Sequence, residues 1–303
     1  MGTVAFHNAA PVYVSPLNGE LLRETESGLI GSDGIHYRFL TGWNDTKIPD
    51  FVCSEDLGET GRKSLELYNQ ATSVQQYRNF LAWLFETFAE DESNFRRRLL
   101  QKTKIKAGDR VLVTGCGLGD DLPFAVESVG DDGEVYAQDL SAQMVLAASM
   151  EILPAYRNSA IHFSVSDAAH LPFSDGFFDA AYHFGGINLF DNIRLAIREM
   201  ERVVKTGGRV VFGDEGVAPW LKHRSYGRIA INNNSLWQSD PPLDLLPEKV
   251  IDVELSWVLG NCFYVISFEV SDTGPYINLD VQHKSPRGGT MRTRYFGTLD
   301  RPL

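Results

Sequence analysis

From residue 110 to 215 the chain alternates short apolar runs with stretches of helical periodicity, and no other feature restricts its fold as tightly. Val111-Leu112-Val113, Glu134-Val135-Tyr136-Ala137, Ile161 to Val165, Phe178 to Phe184 and Arg209 to Gly213 read as strands. Between them, Leu122 to Val129, Ala142 to Leu153 and Ile193 to Val204 carry apolar residues at three- and four-residue spacing, the mark of an amphipathic helix. Pro123 is tolerated in a first turn, where its missing N–H has no intrahelical partner. Ser141 suits an N-cap and Gly207-Gly208 a C-cap. Strands that alternate strictly with helices must be joined by crossovers, and crossovers build a parallel sheet covered on both faces. The expected fold class is α/β.

The flanks have a different texture. Residues 1–60 are rich in Gly, Pro, Asn and Asp, with turn signals at Ser27-Gly28 and Asp33-Gly34 and short pieces such as Pro11-Val12-Tyr13-Val14. They are expected to form a small β-rich module. Residues 61–105 repeat Leu65, Tyr68, Tyr77, Phe80, Leu81, Leu84 and Phe85 at helical spacing, break at Ala89-Glu90-Asp91 and resume at Phe95, so two or three covering helices are expected. Residues 106–303 make the main domain. Val250 to Val258 and Phe263 to Val270 flank Leu259-Gly260-Asn261 and predict an antiparallel hairpin, and Tyr276 to His283 reads as a third β-rich stretch.

Charge narrows the partners. The net charge is −12, whereas a nucleic-acid surface draws most of its affinity from clustered Lys and Arg. The only basic run, Arg96-Arg97-Arg98, reads as a solvated helix face. A nucleic-acid substrate is therefore not expected. Cys53, Cys116 and Cys262 are odd in number and far apart, so neither a disulfide framework nor a metal site is expected, and a reducing cytoplasm fits. Met1 to Phe6 shows no basic segment followed by an apolar one, and Phe6 stands where N-myristoylation needs Ser or Thr. No apolar run approaches the roughly 18 residues of a membrane span.

The first strand runs into Gly115-Cys116-Gly117-Leu118-Gly119. A turn from a parallel strand into a helix needs glycine for close backbone approach and leaves N–H groups free for a ligand. The dinucleotide pattern GxGxxG fails, because its third glycine falls at Asp120; the GxGxG spacing fits. Asp139 ends the second strand, where a carboxylate can accept from both hydroxyls of a ribose. Asp167-Ala168 closes the third, where a side chain can accept from an adenine amino group. Leu171 to Asp179 and Arg202 to Arg209 complete a long ordered set.

With that set in place, the chain resembles the class I S-adenosylmethionine (AdoMet)-dependent methyltransferases, especially the ubiquinone and menaquinone methyltransferase branch. The likeness covers 105–215 well and 60–105 loosely. It implies a Rossmann-like seven-stranded sheet whose last two strands are the hairpin at 250–270. It implies AdoMet as cofactor, with Gly115, Cys116, Gly117 and Gly119 at its methionine and ribose part, Asp139 on the ribose with Leu140 and Met144 beside it, Asp167 and Ala168 at the adenine, and His183 to Asn188 facing the methyl donor. The family often has an acidic residue two before the first glycine; here Val113 stands there. That contact is therefore expected from Asp120 or Asp121. A second, partial likeness joins Ser15-Pro16-Leu17-Asn18 and Ser32-Asp33-Gly34 to the zinc ribbon of rRNA guanine methyltransferases. Ser15 and Asn18 replace its cysteines, and a hydroxyl and an amide are poor zinc ligands, so a metal-free module is expected.

The implied function is methyl transfer to a small-molecule acceptor, in the biosynthesis of a secondary metabolite. RNA methylation and a non-catalytic AdoMet-binding role stand as alternatives. The candidate catalytic groups are His183 as a base, Asp214 with its neighbour Glu215, and Tyr68 on the covering helices. Trp220, Tyr226 and Trp237, with His223 and Arg224, are expected to shape the acceptor pocket. The basic tail Lys284 to Arg294 could close over that pocket or reach a second subunit of a homodimer.

Overall fold

The computed structural model describes residues 12–53, 55–284 and 288–296. The expectations about Met1 to Phe6, Pro11, and Ser285, Pro286 and Arg287 of the basic tail lie outside these residues.

Four short strands come first: β1 (Arg23–Glu24), β2 (Gly28–Ile30), β3 (His36–Thr41) and β4 (Lys47–Pro49), an antiparallel sheet in that order. Three helices follow, α1 (Glu59–Tyr68), α2 (Ser73–Thr87) and α3 (Glu92–Gln101). Asp91 caps α3 by accepting from the Asn94 N–H, so the break expected at 89–91 is a helix start. Then come β5 (Arg110–Thr114), α4 (Leu122–Val129), β6 (Glu134–Asp139), α5 (Ala142–Ala155), β7 (Ala160–Val165), β8 (Phe178–Phe184), α6 (Ile193–Val203) and β9 (Val204–Glu215), which alternate as expected except that no helix separates β7 from β8. The short helices α7 (Pro219–Lys222) and α8 (Ser225–Asn233) precede β10 (Ile251–Val258), β11 (Phe263–Glu269) and α9 (Met291–Phe296).

The large sheet has the order β10-β11-β9-β8-β5-β6-β7. β5 pairs in parallel with both β6 and β8, so the strand order reverses at β5 and a crevice opens beyond its carboxyl end. The β10–β11 hairpin is antiparallel and adds to β9. Side chains alternate across the pleat: Val111 and Val113 pack with α2 to α5, whereas Leu112 packs with Ile197, Met200 and Val203 of α6.

The small N-terminal sheet is joined to the large one. Asp50 forms a parallel bridge with Val165, and the Phe51 N–H donates to the Val165 carbonyl at 2.8 Å. This pairing covers the otherwise open edge of β7. Tyr13 lies between Phe51 and Phe173, with ring centroids 5.4 and 5.5 Å away, so the two cores are continuous. Ser15 Oγ hydrogen-bonds the Tyr37 hydroxyl at 3.1 Å, and Asn18 Nδ2 donates to Asp33 at 3.0 Å. Both positions where the zinc ribbon has cysteines thus carry internal hydrogen bonds.

Three expectations need correction. Gly207-Gly208 does not cap α6; the chain turns extended at Val204, and the Gly207 N–H donates to the Val270 carbonyl. Tyr276 to His283 forms no strand and leaves Tyr276, Ile277 and Val281 exposed. Arg96 is not on a solvated face: it is buried in its ion pair, whereas Arg97 and Arg98 pair with Glu127 and Glu90 at the surface. Beyond residue 220, α8 packs on α7. Among the described residues no helix is long and apolar enough to cross a membrane.

Candidate cofactor and acceptor site

The turn after β5 and the end of β6 meet directly. The Gly117 N–H donates to Asp139 Oδ2 at 2.9 Å, and the Ser141 N–H donates to Asp139 Oδ1 at 2.9 Å. Burial pushes the Asp139 carboxyl above its ordinary pKa, and three backbone N–H groups partly offset that rise. Each carboxylate oxygen has lone pairs beyond the one used, and the side chain lines a cavity. Ser141 caps α5 by accepting from the Met144 N–H, and its hydroxyl donates to Asn69 Oδ1 at 2.6 Å, which ties the end of α1 to this corner.

Two of the three glycines serve packing. A Cβ on Gly115 would fall 2.8 Å from the His183 ring, and one on Gly119 would fall 3.0 and 3.1 Å from Leu122 and Ile152. Gly117 faces the cavity, with the Tyr77 hydroxyl 3.5 Å from where its Cβ would be. Among the expected cofactor residues, Gly115, Gly117, Asp139, Leu140, Met144, Asp167, Ala168 and His183 all line this first lobe. Cys116 and Gly119 do not; Cys116 is buried, and burial raises its thiol pKa well above the ordinary value.

The expectation for Asp120 and Asp121 is corrected. Both turn away from the cavity toward Arg96, with Asp121 Oδ2 at 2.9 Å and Asp120 Oδ2 at 3.8 Å from its guanidinium. Glu92 joins at 2.7 Å, so Arg96 clamps α3 onto the start of α4. The first lobe also contains residues that sequence reasoning passed over: Gln138, Asp191, and Leu57, Gly61 and Ser64 on or beside α1. Gln138 bridges the Thr114 hydroxyl and the Ser166 carbonyl, stitching β5, β6 and the turn after β7. Its buried amide one residue before Asp139 was a usable signal.

A second lobe of about 260 Å³ shares Tyr68, Tyr77, Gly185, Gly186 and Leu189 with the first. Its wall is mostly apolar, with Leu67, Phe80, Leu81, Leu84, Phe85, Phe184, Leu236 and Phe263. Arg96, Asp214, Glu215 and Asn234 supply the remaining polar groups. Trp220, Tyr226, His223 and Arg224, expected to shape an acceptor pocket, lie away from both lobes. Trp220 is exposed against Trp257, the Tyr226 hydroxyl donates to the Gly260 carbonyl at 2.7 Å, and none of the four lines either lobe. Trp237 packs behind the second lobe, stacked on Trp83 with centroids 6.3 Å apart.

The three candidate catalytic side chains occupy different environments. His183 Nδ1–H donates to the Thr114 carbonyl at 2.9 Å, leaving Nε2 buried without a partner, and burial holds its pKa down to about 4. Neutral at physiological pH, it binds a proton weakly. Asp214 is fully engaged: its oxygens accept from the N–H groups of Gly186, Asn188 and Glu215 at 3.1, 2.7 and 2.7 Å. It holds the loop after β8 in place. The Tyr68 hydroxyl, in both lobes, is pushed up to about 12 by burial and by Asp139, Asp214 and Glu215.

A seven-stranded sheet of this order, with a glycine turn after its central strand hydrogen-bonded to a carboxylate at the end of the next, is the fold of the class I AdoMet-dependent methyltransferases. Residues 112–212 match the family described as "Methyltransferase domain". Over 158 residues the chain is 28% identical to a demethylmenaquinone methyltransferase of Bacillus mycoides, covering 52% of this chain and 61% of that one. It is 34% identical over 110 residues to a 2-phytyl-1,4-naphthoquinone methyltransferase of Synechocystis, covering 36% and 46%. The chain thus spans about half the length of the curated relatives it matches. A phosphoethanolamine N-methyltransferase of Haemonchus contortus solved with AdoMet shares the fold, with a TM-score of 0.56, 14% identity, and coverage of 83% of this chain and 71% of that one.

Proposed function

We propose that this protein is an AdoMet-dependent methyltransferase that modifies a small apolar molecule bound in the second lobe. The observation that carries the reading is the meeting of Gly117 and Asp139 at one cavity wall. Gly117 and Asp139 would hold the ribose, Asp167 and Ala168 the adenine, and Gly115 and Tyr77 the part nearer the second lobe. AdoMet supplies a methyl group already activated as a sulfonium, so the protein mainly has to align the acceptor and exclude water. Alignment of this kind is worth about 7–11 kcal/mol of barrier. Phe80, Leu84, Phe184 and Phe263 suit a planar or isoprenoid acceptor, and the relatives named for quinones point the same way.

The net charge of −12 and a recessed apolar lobe speak against nucleic acid as acceptor. Free Cys53, Cys116 and Cys262 suit a reducing cytoplasm. We read the chain as a β-rich module to residue 60, a helical cover to 105 and the methyltransferase domain beyond. Calorimetry with S-adenosylhomocysteine (AdoHcy), followed by transfer of labelled methyl from AdoMet to an apolar extract fraction, tests the proposal. Micromolar binding and labelled product are expected; no binding of AdoHcy ends it.

A further inference from the structure

The second lobe contains one carboxylate without an evident structural duty. Glu215 is 7% exposed at the end of β9, where both of its oxygens accept from Asn234 Nδ2, at 3.2 Å each, and the Trp237 indole also lies against the carboxyl. Its neighbour Asp214 is committed to three backbone N–H groups. Among the described residues Glu215 makes no ion pair, and the guanidinium across the lobe, Arg96, is already held by Asp121 and Glu92. A buried carboxylate with neutral partners and no counter-ion costs stability, and such groups concentrate at functional sites.

Resting on the methyltransferase reading, we propose that Glu215 is the proton acceptor for the methyl acceptor, and that this acceptor is an apolar molecule with a phenol- or enol-type hydroxyl and no anionic group. The groups facing Glu215 agree. Asp214 lies beside it, Tyr68 stands across the lobe, Asn234 and Trp237 flank it, and none is a free cation. An anionic acceptor would meet two carboxylates and no unpaired positive charge. Burial and Asp214 together raise the Glu215 carboxyl from 4.5 to about 7, which suits a base working near neutrality. His183, held near 4, is much the weaker base.

The step balances. Glu215 takes the hydroxyl proton, and the electron pair released on the acceptor, on oxygen or on the conjugated carbon, forms the bond to the methyl carbon. The methyl–sulfur bond breaks with its pair kept on sulfur, giving neutral AdoHcy. On the ring-carbon route the ring proton passes to solvent, which restores the aromatic system as the phenolate, and Glu215 returns its own proton to that oxygen. On the oxygen route Glu215 returns its proton to solvent when product leaves, so either route releases one proton.

The test uses the full chain with AdoMet and 1,4-dihydroxynaphthalene kept under argon, its 2-carboxylate as the anionic arm, and Glu215→Gln and Glu215→Asp variants. AdoHcy calorimetry comes first and must be the same for wild type and variants; failure to bind in the wild type overturns the methyltransferase reading itself. Given binding, we expect turnover of the diol that rises with pH through about 7, poor turnover of the carboxylate, and loss of about 100-fold or more in kcat for Glu215→Gln at unchanged KM. Glu215→Asp should recover part of it. A carboxyl carbon NMR signal titrating near pH 7 in the free protein should vanish in Glu215→Gln. Turnover of neither compound, a preference for the carboxylate, or a Glu215→Gln enzyme with wild-type kcat and pH profile overturns the proposal.

Discussion

Replacing Asp139 by Asn tests the site at its narrowest point. The carboxylate accepts from Gly117 and Ser141 at 2.9 Å each, and its remaining lone pairs face the first lobe. The amide is nearly the same size, but one of its two ends is an NH2. Whichever way it turns, a donor opposes either the Gly117 or the Ser141 N–H, and one acceptor for a ribose hydroxyl is lost. A hydrogen bond to a charged group is worth about 1.5–3 kcal/mol, and an unpaired buried N–H costs about 1–3 kcal/mol. If a single charge-assisted bond to the ligand is lost and the surviving one weakened to a neutral bond, AdoHcy affinity drops by about 3 kcal/mol, roughly 100-fold. Stability drops by about 1–3 kcal/mol for the orphaned N–H. Isothermal calorimetry at pH 7.5 measures the first and urea denaturation the second. Affinity within about threefold of wild type, in a variant that is destabilised as expected, would mean that the Gly117–Asp139 pair only shapes the turn and holds no ligand.

Three further outcomes follow from buried charge. Arg96→Leu leaves Asp121 buried without its cation and should cost about 3–5 kcal/mol in urea denaturation; a cost below about 1 kcal/mol would show that the cluster is solvated. His183 has its pKa lowered from 6.5 to about 4, so the unfolded chain binds the proton first and stability is lost as pH falls through that window, by up to roughly 3 kcal/mol. His183→Asn should remove that part of the acid sensitivity, read as stability against pH. Glu215 has the opposite sign: its pKa is raised from 4.5 to about 7, so its contribution is full below 4.5 and is lost as pH rises to 7, again by roughly 3 kcal/mol. Glu215→Gln should therefore gain stability relative to wild type above pH 7, and equal slopes in both proteins would refute the shift.

Particular residues show where local reading stopped. The cap at Ser141 and the strand end at Val165 follow from periodicity and capping chemistry, which act over a few residues. Tyr276 to His283 has the composition of a strand but lies in no sheet. Arg96 reads as one of three solvated cations, yet its partner Asp121 is 25 positions away. Trp220 and Tyr226 read as pocket aromatics, whereas the lobe takes Phe80, Leu84 and Phe263 from elements far apart in sequence.

What the amino-acid order determined alone was the set of elements between 110 and 215, the glycine turn and the carboxylate two strand ends must share, because helix and strand periods and glycine's freedom of backbone are properties of neighbours along the chain. Only the folded molecule decided that Asp120 and Asp121 serve Arg96, that the N-terminal sheet closes the β7 edge, and that Glu215 lines the second lobe with no ion pair among the described residues. Burial and charge pairing are set by groups that meet across the fold, and their energies depend on which partners arrive.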